Sequence, residues 1–219
     1  MDSVKAEQVF DPSPTSDRTS VTRTTYDDRL NGILLAATTL FARNGYERAS
    51  MRAVAKASGI SLAGLYHYFE SKQKILFLIQ FRTFSSLLNN LREKIHGIDD
   101  PVEQLRVMVR AHIGYFVANM DALKVCSHEL DSLSGEAYEE TRRIRREYYE
   151  ITRALVDQIL YERTPENTMD RHVATMSLFG MLNWLYRWYN PKRDRSPGAL
   201  AHQIVTQFLS GVLVTNGKQ

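Results

Sequence analysis

Residues 50–72 read SMRAVAKASGISLAGLYHYFESK. Ser50 and Ser61 each stand directly ahead of a short run with helical spacing, where a side-chain oxygen can accept a hydrogen bond from a free N–H of the first turn. Gly59 between the two runs supplies a tight turn, so the stretch reads as helix, turn, helix. Val54 and Ala55 point inward, small Ala55 lets two crossed helices approach, and Ile60, Leu65 and Phe69 fill the space beneath them. Ser61, Leu62, Ala63, Gly64, Tyr66, Tyr68 and Lys72 are left facing outward. Small residues at the start of such a helix let its backbone lie close to a DNA groove, and the tyrosine hydroxyls and the lysine ammonium can reach phosphates.

Working outward, the flanks read as helices too. Upstream, Leu30, Ile33, Leu34, Ala37, Leu40 and Phe41 recur at three- and four-residue spacing, and Asn44-Gly45 is a stop. Residues 1–24, rich in Asp, Ser, Thr and Pro, offer little to bury and are expected to form a disordered tail, with order beginning near Tyr26. Downstream, a long helix is expected from Gln73 to Ile95, and Asp100-Pro101 starts another that runs to about Asn119. Further helices are expected over 121–130, 134–163, 168–189 and, after the break NPKRDRSPG, from Ser196 or Pro197 to about Thr215. No stretch reads as a sheet strand. The fold class is all-α with about nine helices: a tail over 1–24, a helix-turn-helix domain over 25–72 and a helical domain over 73–219.

Charge separates the same segments. Residues 23–96 hold 11 Lys/Arg against 5 Asp/Glu, whereas 97–219 hold 15 against 16, so the basic excess lies where phosphates would be met. The single Cys126 excludes an internal disulfide and a thiolate zinc site and suits a reducing cytoplasm. No apolar run approaches the roughly 18 residues of a membrane span, and no apolar centre of a signal peptide precedes Ser20. No nucleophile elbow or phosphate loop is present, which argues against an enzyme. No cofactor is implied. His128, Glu129, Asp131 and His172 match no strong metal-ligand spacing and read as surface polar residues, and Cys126 as a small buried hydrophobe.

LFARNGYERASMRAVAKASGISLAGLYHYFESKQKIL, with Phe41, Gly45 and Tyr46 leading into the Gly59 turn and then Leu65-Tyr66, Tyr68-Phe69 and Lys72, resembles the DNA-binding domain of TetR-family transcriptional regulators over roughly residues 28–78. The resemblance implies a homodimeric, all-helical repressor that binds a double-stranded, pseudo-palindromic operator and carries an effector in its C-terminal domain. Carried over by position, Arg52 and Ser61, Leu62, Ala63 and Gly64 lie at bases or nearby phosphates, and Tyr66, Tyr68 and Lys72 mainly on phosphates. His67 reads either as a phosphate contact or as a plain surface residue. Leu62, Ala63 and Gly64 offer no side-chain hydrogen bonds to base edges, so sequence reading would lean on Arg52, thymine methyl groups and DNA shape.

The C-terminal half holds an apolar helix, MSLFGMLNWLYRWYN over 176–190, and a last helix carrying Leu200, Ile204, Phe208, Leu209, Val212 and Leu213. These last two helices are the expected dimer surface. Trp184 and Trp188, four apart on one face, read either as core or interface, or as walls of a ligand tunnel with Met108, Tyr115, Phe116, Met120 and Met181. FGMLNWLYRWYNP is similar to a segment of acyl-CoA-responsive TetR regulators of fatty-acid and sterol-ring degradation. That similarity implies an acyl-CoA thioester as effector, with Arg187 or Arg110 at its phosphates. TRRIRREYYE, residues 141–150, could clamp phosphate, but its Glu–Arg spacings of four suit a solvated face.

Overall fold

In the computed structural model, which describes residues 18–164 and 169–213, every regular element among the described residues is a helix. Helices α1 (Arg18–Asn44), α2 (Met51–Ala57) and α3 (Leu62–Tyr66) form the N-terminal unit, and α4 (Lys72–Ile95) leads out of it. The remainder comprises α5 (Pro101–Ala118), α6 (Met120–His128), α7 (Gly135–Arg163), α8 (Arg171–Asn183), the single turn α9 (Leu185–Trp188) and α10 (Pro197–Val212).

Local chemistry accounts for the boundaries. Ser50, Ser61, Ser71, Asp170 and Ser196 each accept a hydrogen bond from the backbone N–H three residues on, and Asp100 does so from Val102, with Pro101 at the first helical position. Gly45 at φ +81° ends α1, its N–H bonding back to the Phe41 carbonyl.

Two boundaries differ from the sequence reading. α1 starts at Arg18, so 18–24 extend a helix instead of belonging to the tail; propagation from an established helix fixes one residue per added bond and avoids a new nucleus. Residues 1–17, Thr168 and the segment beyond Leu213 lie outside the described residues. The helix expected through 189 breaks at Trp184, where the Arg187 N–H bonds to the Trp184 carbonyl, a step of three residues instead of four.

Two apolar cores share α4. Ile75, Leu76, Phe77 and Ile79 join Ile33, Ala37, Phe41, Val54, Leu65 and Phe69 in the N-terminal core, to which Val125 of α6 and Leu133 also belong. Two to four turns further along the same helix, Leu87, Leu88 and Leu91 enter a larger core built from α5, α7, α8 and α10. The apolar side of α10 is buried within the protomer against α5, leaving His202, Gln203, Thr206, Gln207, Ser210 and Gly211 outward. α8 turns Val173, Met176 and Gly180 out, and no neighbour lies within 4 Å of where a Gly180 Cβ would be. Among the described residues, no helix is long and apolar enough to cross a membrane.

Candidate functional site

The turn between α2 and α3 is closed by backbone alone. Gly59 sits at φ +66°, its N–H bonds to the Lys56 carbonyl, and the Ile60 N–H reaches the Ala55 carbonyl at 3.1 Å, a Schellman closure that a left-handed residue makes possible. This sets α3 across α2 and presents Arg52, Ser61, Ala63, Tyr66 and His67 as exposed side chains. Tyr66 is 52% exposed, so it is no part of the core, whereas Phe69 is wholly buried.

Three residues expected to face outward also hold the domain together. Leu62 and Tyr68 are half-buried against the N-terminal core, and the Tyr68 ring stacks on Tyr26 at 5.0 Å. Lys72 donates from Nζ to the Tyr46 carbonyl at 2.8 Å, with its ammonium 4.0 Å from the centre of the Tyr46 ring, and so ties the start of α4 to the end of α1. Gly64 has a local reason to be small: a Cβ there would come within 3.1 Å of the Ser61 hydroxyl that caps its N–H.

The second site is a pocket of about 320 Å³ in the C-terminal unit. Phe84 of α4, Tyr148 and Tyr149 of α7, and Met176 and Phe179 of α8 give it apolar walls. His112 of α5 and Asn183 of α8 are its inner polar groups, and Arg142, Arg145 and Arg146 of α7 add three cations to its lining. Arg142 and Arg146 are exposed and pair only loosely with Glu139 and Glu150, at 3.7 and 3.9 Å. Arg145 instead turns inward, lies over the Phe84 ring at 4.7 Å and donates to the Cys126 carbonyl at 2.7 Å. The solvated-face reading of this arginine run therefore holds for Arg142, Arg143 and Arg146 but not for Arg145.

His112 is buried, and burial pulls its imidazole pKa down to about 4, with hydrogen bonding toward the Asn183 side chain a smaller opposing effect; no group meets Nε2 in good hydrogen-bond geometry. Nδ1 lies 3.1 Å from the Tyr148 hydroxyl, whose own ionisation burial pushes well up, so the phenol keeps its proton. Cys126 is buried and its thiol is pushed up to about 11, which makes it an unreactive packing residue.

The seven residues expected to line a ligand tunnel, and Arg187 expected at its phosphates, are not brought together here. Met108 and Phe116 are buried in the core, Phe116 backing the His112 ring at 4.8 Å. Tyr115 and Met120 line a different cavity, between α1, α4 and the α5–α6 junction. Met181 is half-buried on the core, while Trp184 and Trp188 are 55% and 49% exposed, with Arg187 beside Trp184. The reason is rotational: Met176, Phe179 and Asn183 share the pocket-facing stripe of α8, and the break at Trp184 carries the tryptophans round to the outside. Arg110 is exposed and apart from the pocket lining.

Sequence reasoning missed Phe84, His112, Tyr148, Phe179 and Asn183. A signal existed: His112 interrupts the apolar stripe Met108, Val109, Ile113, Phe116, and Tyr148 lies one turn from both Ile144 and Thr152 on the buried face of α7. His128, Glu129 and His172, weighed as metal ligands, bond to Tyr186, Ser132 and Tyr149, and among the described residues no three ligand side chains converge.

Residues 33–79 match the family described as bacterial regulatory proteins, tetR family, and residues 98–212 match the tetracyclin repressor-like C-terminal domain. Among solved structures, a TetR-family transcriptional regulator from Bordetella parapertussis 12822 is 31% identical, with 86% of this chain and 98% of that one covered and a TM-score of 0.78. AibR in complex with isovaleryl coenzyme A and operator DNA is 26% identical, with 82% and 97% covered and a TM-score of 0.72. Among characterised relatives, the fatty acid metabolism regulator protein of Bacillus subtilis (strain 168) is 20% identical over 82% of this chain and 93% of its own length.

Proposed function

The chain belongs to the TetR family of bacterial regulatory proteins, and from that membership we propose that it is a homodimeric cytoplasmic repressor, released from a pseudo-palindromic operator when an acyl-CoA thioester fills its C-terminal pocket. Residues 25–72 act as the DNA-reading domain and 73–219 as the sensing and dimerising one. Arg52 and the Ser61–Gly64 turn meet bases or adjacent phosphates. Tyr66, Tyr68, His67 and Lys72 meet the backbone, Lys72 while still bound to Tyr46.

The observation that carries the effector reading is the pairing, in one pocket, of aromatic walls with the exposed cations Arg142 and Arg146. An acyl chain suits the walls, and guanidinium groups grip phosphate in a fork. AibR, which binds isovaleryl coenzyme A, lends further support. Phe84 sits on α4 between its two anchored ends, so a ligand that packs on it bears on the helix leading to the DNA-reading unit. Release follows if the ligand binds the α4 position incompatible with the operator more tightly than the compatible one; equal affinity would shift nothing. The exposed Val173, Trp184 and Trp188 of the α8–α9 segment, together with the outward polar residues of α10, suit a helix-on-helix contact between two protomers. Such a dimer sets the two α3 helices about 34–36 Å apart on successive major grooves.

The test is fluorescence anisotropy on a labelled fragment from upstream of the chain's own gene, at fixed salt, with and without a panel of acyl-CoA thioesters. Tight binding released by a thioester is the expected result. Tight binding indifferent to every thioester refutes the effector class, and failure to select any operator from random DNA refutes the DNA-reading assignment.

A further inference from the structure

His112 Nε2 is the one buried side-chain nitrogen or oxygen among the described residues that has no hydrogen-bond partner. Such a group disfavours the folded state unless something supplies a partner, and here it belongs to a residue that lines the pocket. The ring is only 2% exposed and is held on the far side by the Tyr148 hydroxyl at 3.1 Å.

The pair determines which atom carries the proton. Tyr148 has one hydroxyl hydrogen, and His112 Nδ1 is the partner that its oxygen meets. If the phenol donates to Nδ1, that hydrogen is used and the neutral ring carries its own hydrogen on Nε2. If Nδ1 donates instead, the phenol hydrogen is left in an apolar wall of Phe84 and Phe179 without an acceptor, which is the less stable arrangement. The interior of the pocket therefore presents an N–H donor from a ring that stays neutral at physiological pH.

We propose that His112, oriented by Tyr148, is the specificity-determining donor of this pocket and takes an acceptor oxygen on the acyl group of the effector. The inference rests on reading the pocket as the effector site. Two oxygens share that chemistry: the thioester carbonyl, and a hydroxyl or oxo substituent on the chain. A saturated chain with neither, joined through a thioether, fills the walls and leaves Nε2 unpaired, and a site built to hydrogen-bond one atom discriminates strongly against the analogue lacking it.

Isothermal titration of the full chain with butyryl-CoA, S-butyl-CoA and 3-hydroxybutyryl-CoA separates the possibilities, using wild type, His112→Phe and His112→Gln. If the carbonyl is read, wild type binds butyryl-CoA about ten-fold more tightly than S-butyl-CoA. In His112→Phe that ratio falls to about two or less, and His112→Gln, which keeps an N–H donor, restores part of it. If a chain oxygen is read, the same pattern appears between 3-hydroxybutyryl-CoA and butyryl-CoA. Equal ratios in wild type and His112→Phe for both pairs overturn the proposal while leaving the effector reading intact. Absence of binding by all three probes to wild type overturns that reading and this inference with it. Should His112→Phe not fold, Tyr148→Phe serves in its place: freeing the ring to move its proton to Nδ1 lowers the same ratio, and an unchanged ratio there counts against the proposal.

Discussion

Acidification should weaken this fold through one imidazole. In an unfolded chain a histidine titrates near 6.5, whereas in the folded protein burial holds His112 at about 4. Between those values the unfolded chain binds a proton that the folded chain refuses, so stability increases with pH across the window and is flat above and below it. At about 1.4 kcal/mol per pH unit, roughly 2 kcal/mol is lost by pH 5 and about 3 kcal/mol by pH 4. Nothing in the surroundings offsets this loss: Phe116, Phe179 and Tyr148 pack around the ring, and Asn183 favours the cation too weakly.

Urea unfolding followed by circular dichroism, at pH 8, 7, 6 and 5 and one fixed protein concentration, gives the stability curve of wild type and of His112→Phe; the fixed concentration matters because dimerisation adds to apparent stability. The other five histidines are common to both proteins, so their contributions cancel in the difference. Whatever offset separates the two curves at pH 8, it should move by about 2 kcal/mol in favour of His112→Phe by pH 5. Parallel curves would refute the buried, neutral state of this ring and with it the account of which nitrogen carries the proton.

Gly59→Ala forces a side chain into φ +66° and should lower stability by about 1–2 kcal/mol while reducing operator affinity; a melting curve that does not move would mean the turn relaxes freely. Lys72→Ala should weaken binding to every DNA sequence and flatten the salt dependence by about one unit of slope. Because its ammonium also holds the Tyr46 carbonyl, it should destabilise the protein by about 1 kcal/mol as well, and thermal melting separates the two effects. Trp184→Ala should shift the monomer–dimer equilibrium in sedimentation and leave thioester affinity within about two-fold, since the ring stands outside the pocket. A large loss of thioester affinity in a dimeric variant would move Trp184 into the effector site.

The helix-turn-helix was legible because its determinants are local. A serine hydroxyl caps the N–H three residues on, a glycine admits a positive φ, and an apolar residue every third or fourth position marks one face, so Ser50, Gly59, Ser61, Leu65 and Phe69 announce their places by spacing. The all-helical class and most helix ends follow for the same reason, as does the concentration of basic charge in the segment holding α1 to α4.

The pocket was not legible, because it is a property of how helices are rotated against one another. His112 and Tyr148 are 36 positions apart, and nothing in either helix alone says that their polar atoms meet. Arg142, Arg145 and Arg146 are the same residue on the same helix, yet only Arg145 turns inward, since only its angle brings it over Phe84 and to the Cys126 carbonyl. The tryptophans mislead in the opposite direction: large aromatics belong inside on average, but the break at Trp184 turns both toward solvent. Periodicity therefore determined the class of fold and the DNA-reading helices, whose physics acts over three or four residues. Only tertiary packing decided which side chains enclose the cavity, because that depends on the relative rotation of α4, α5, α7 and α8 about their axes.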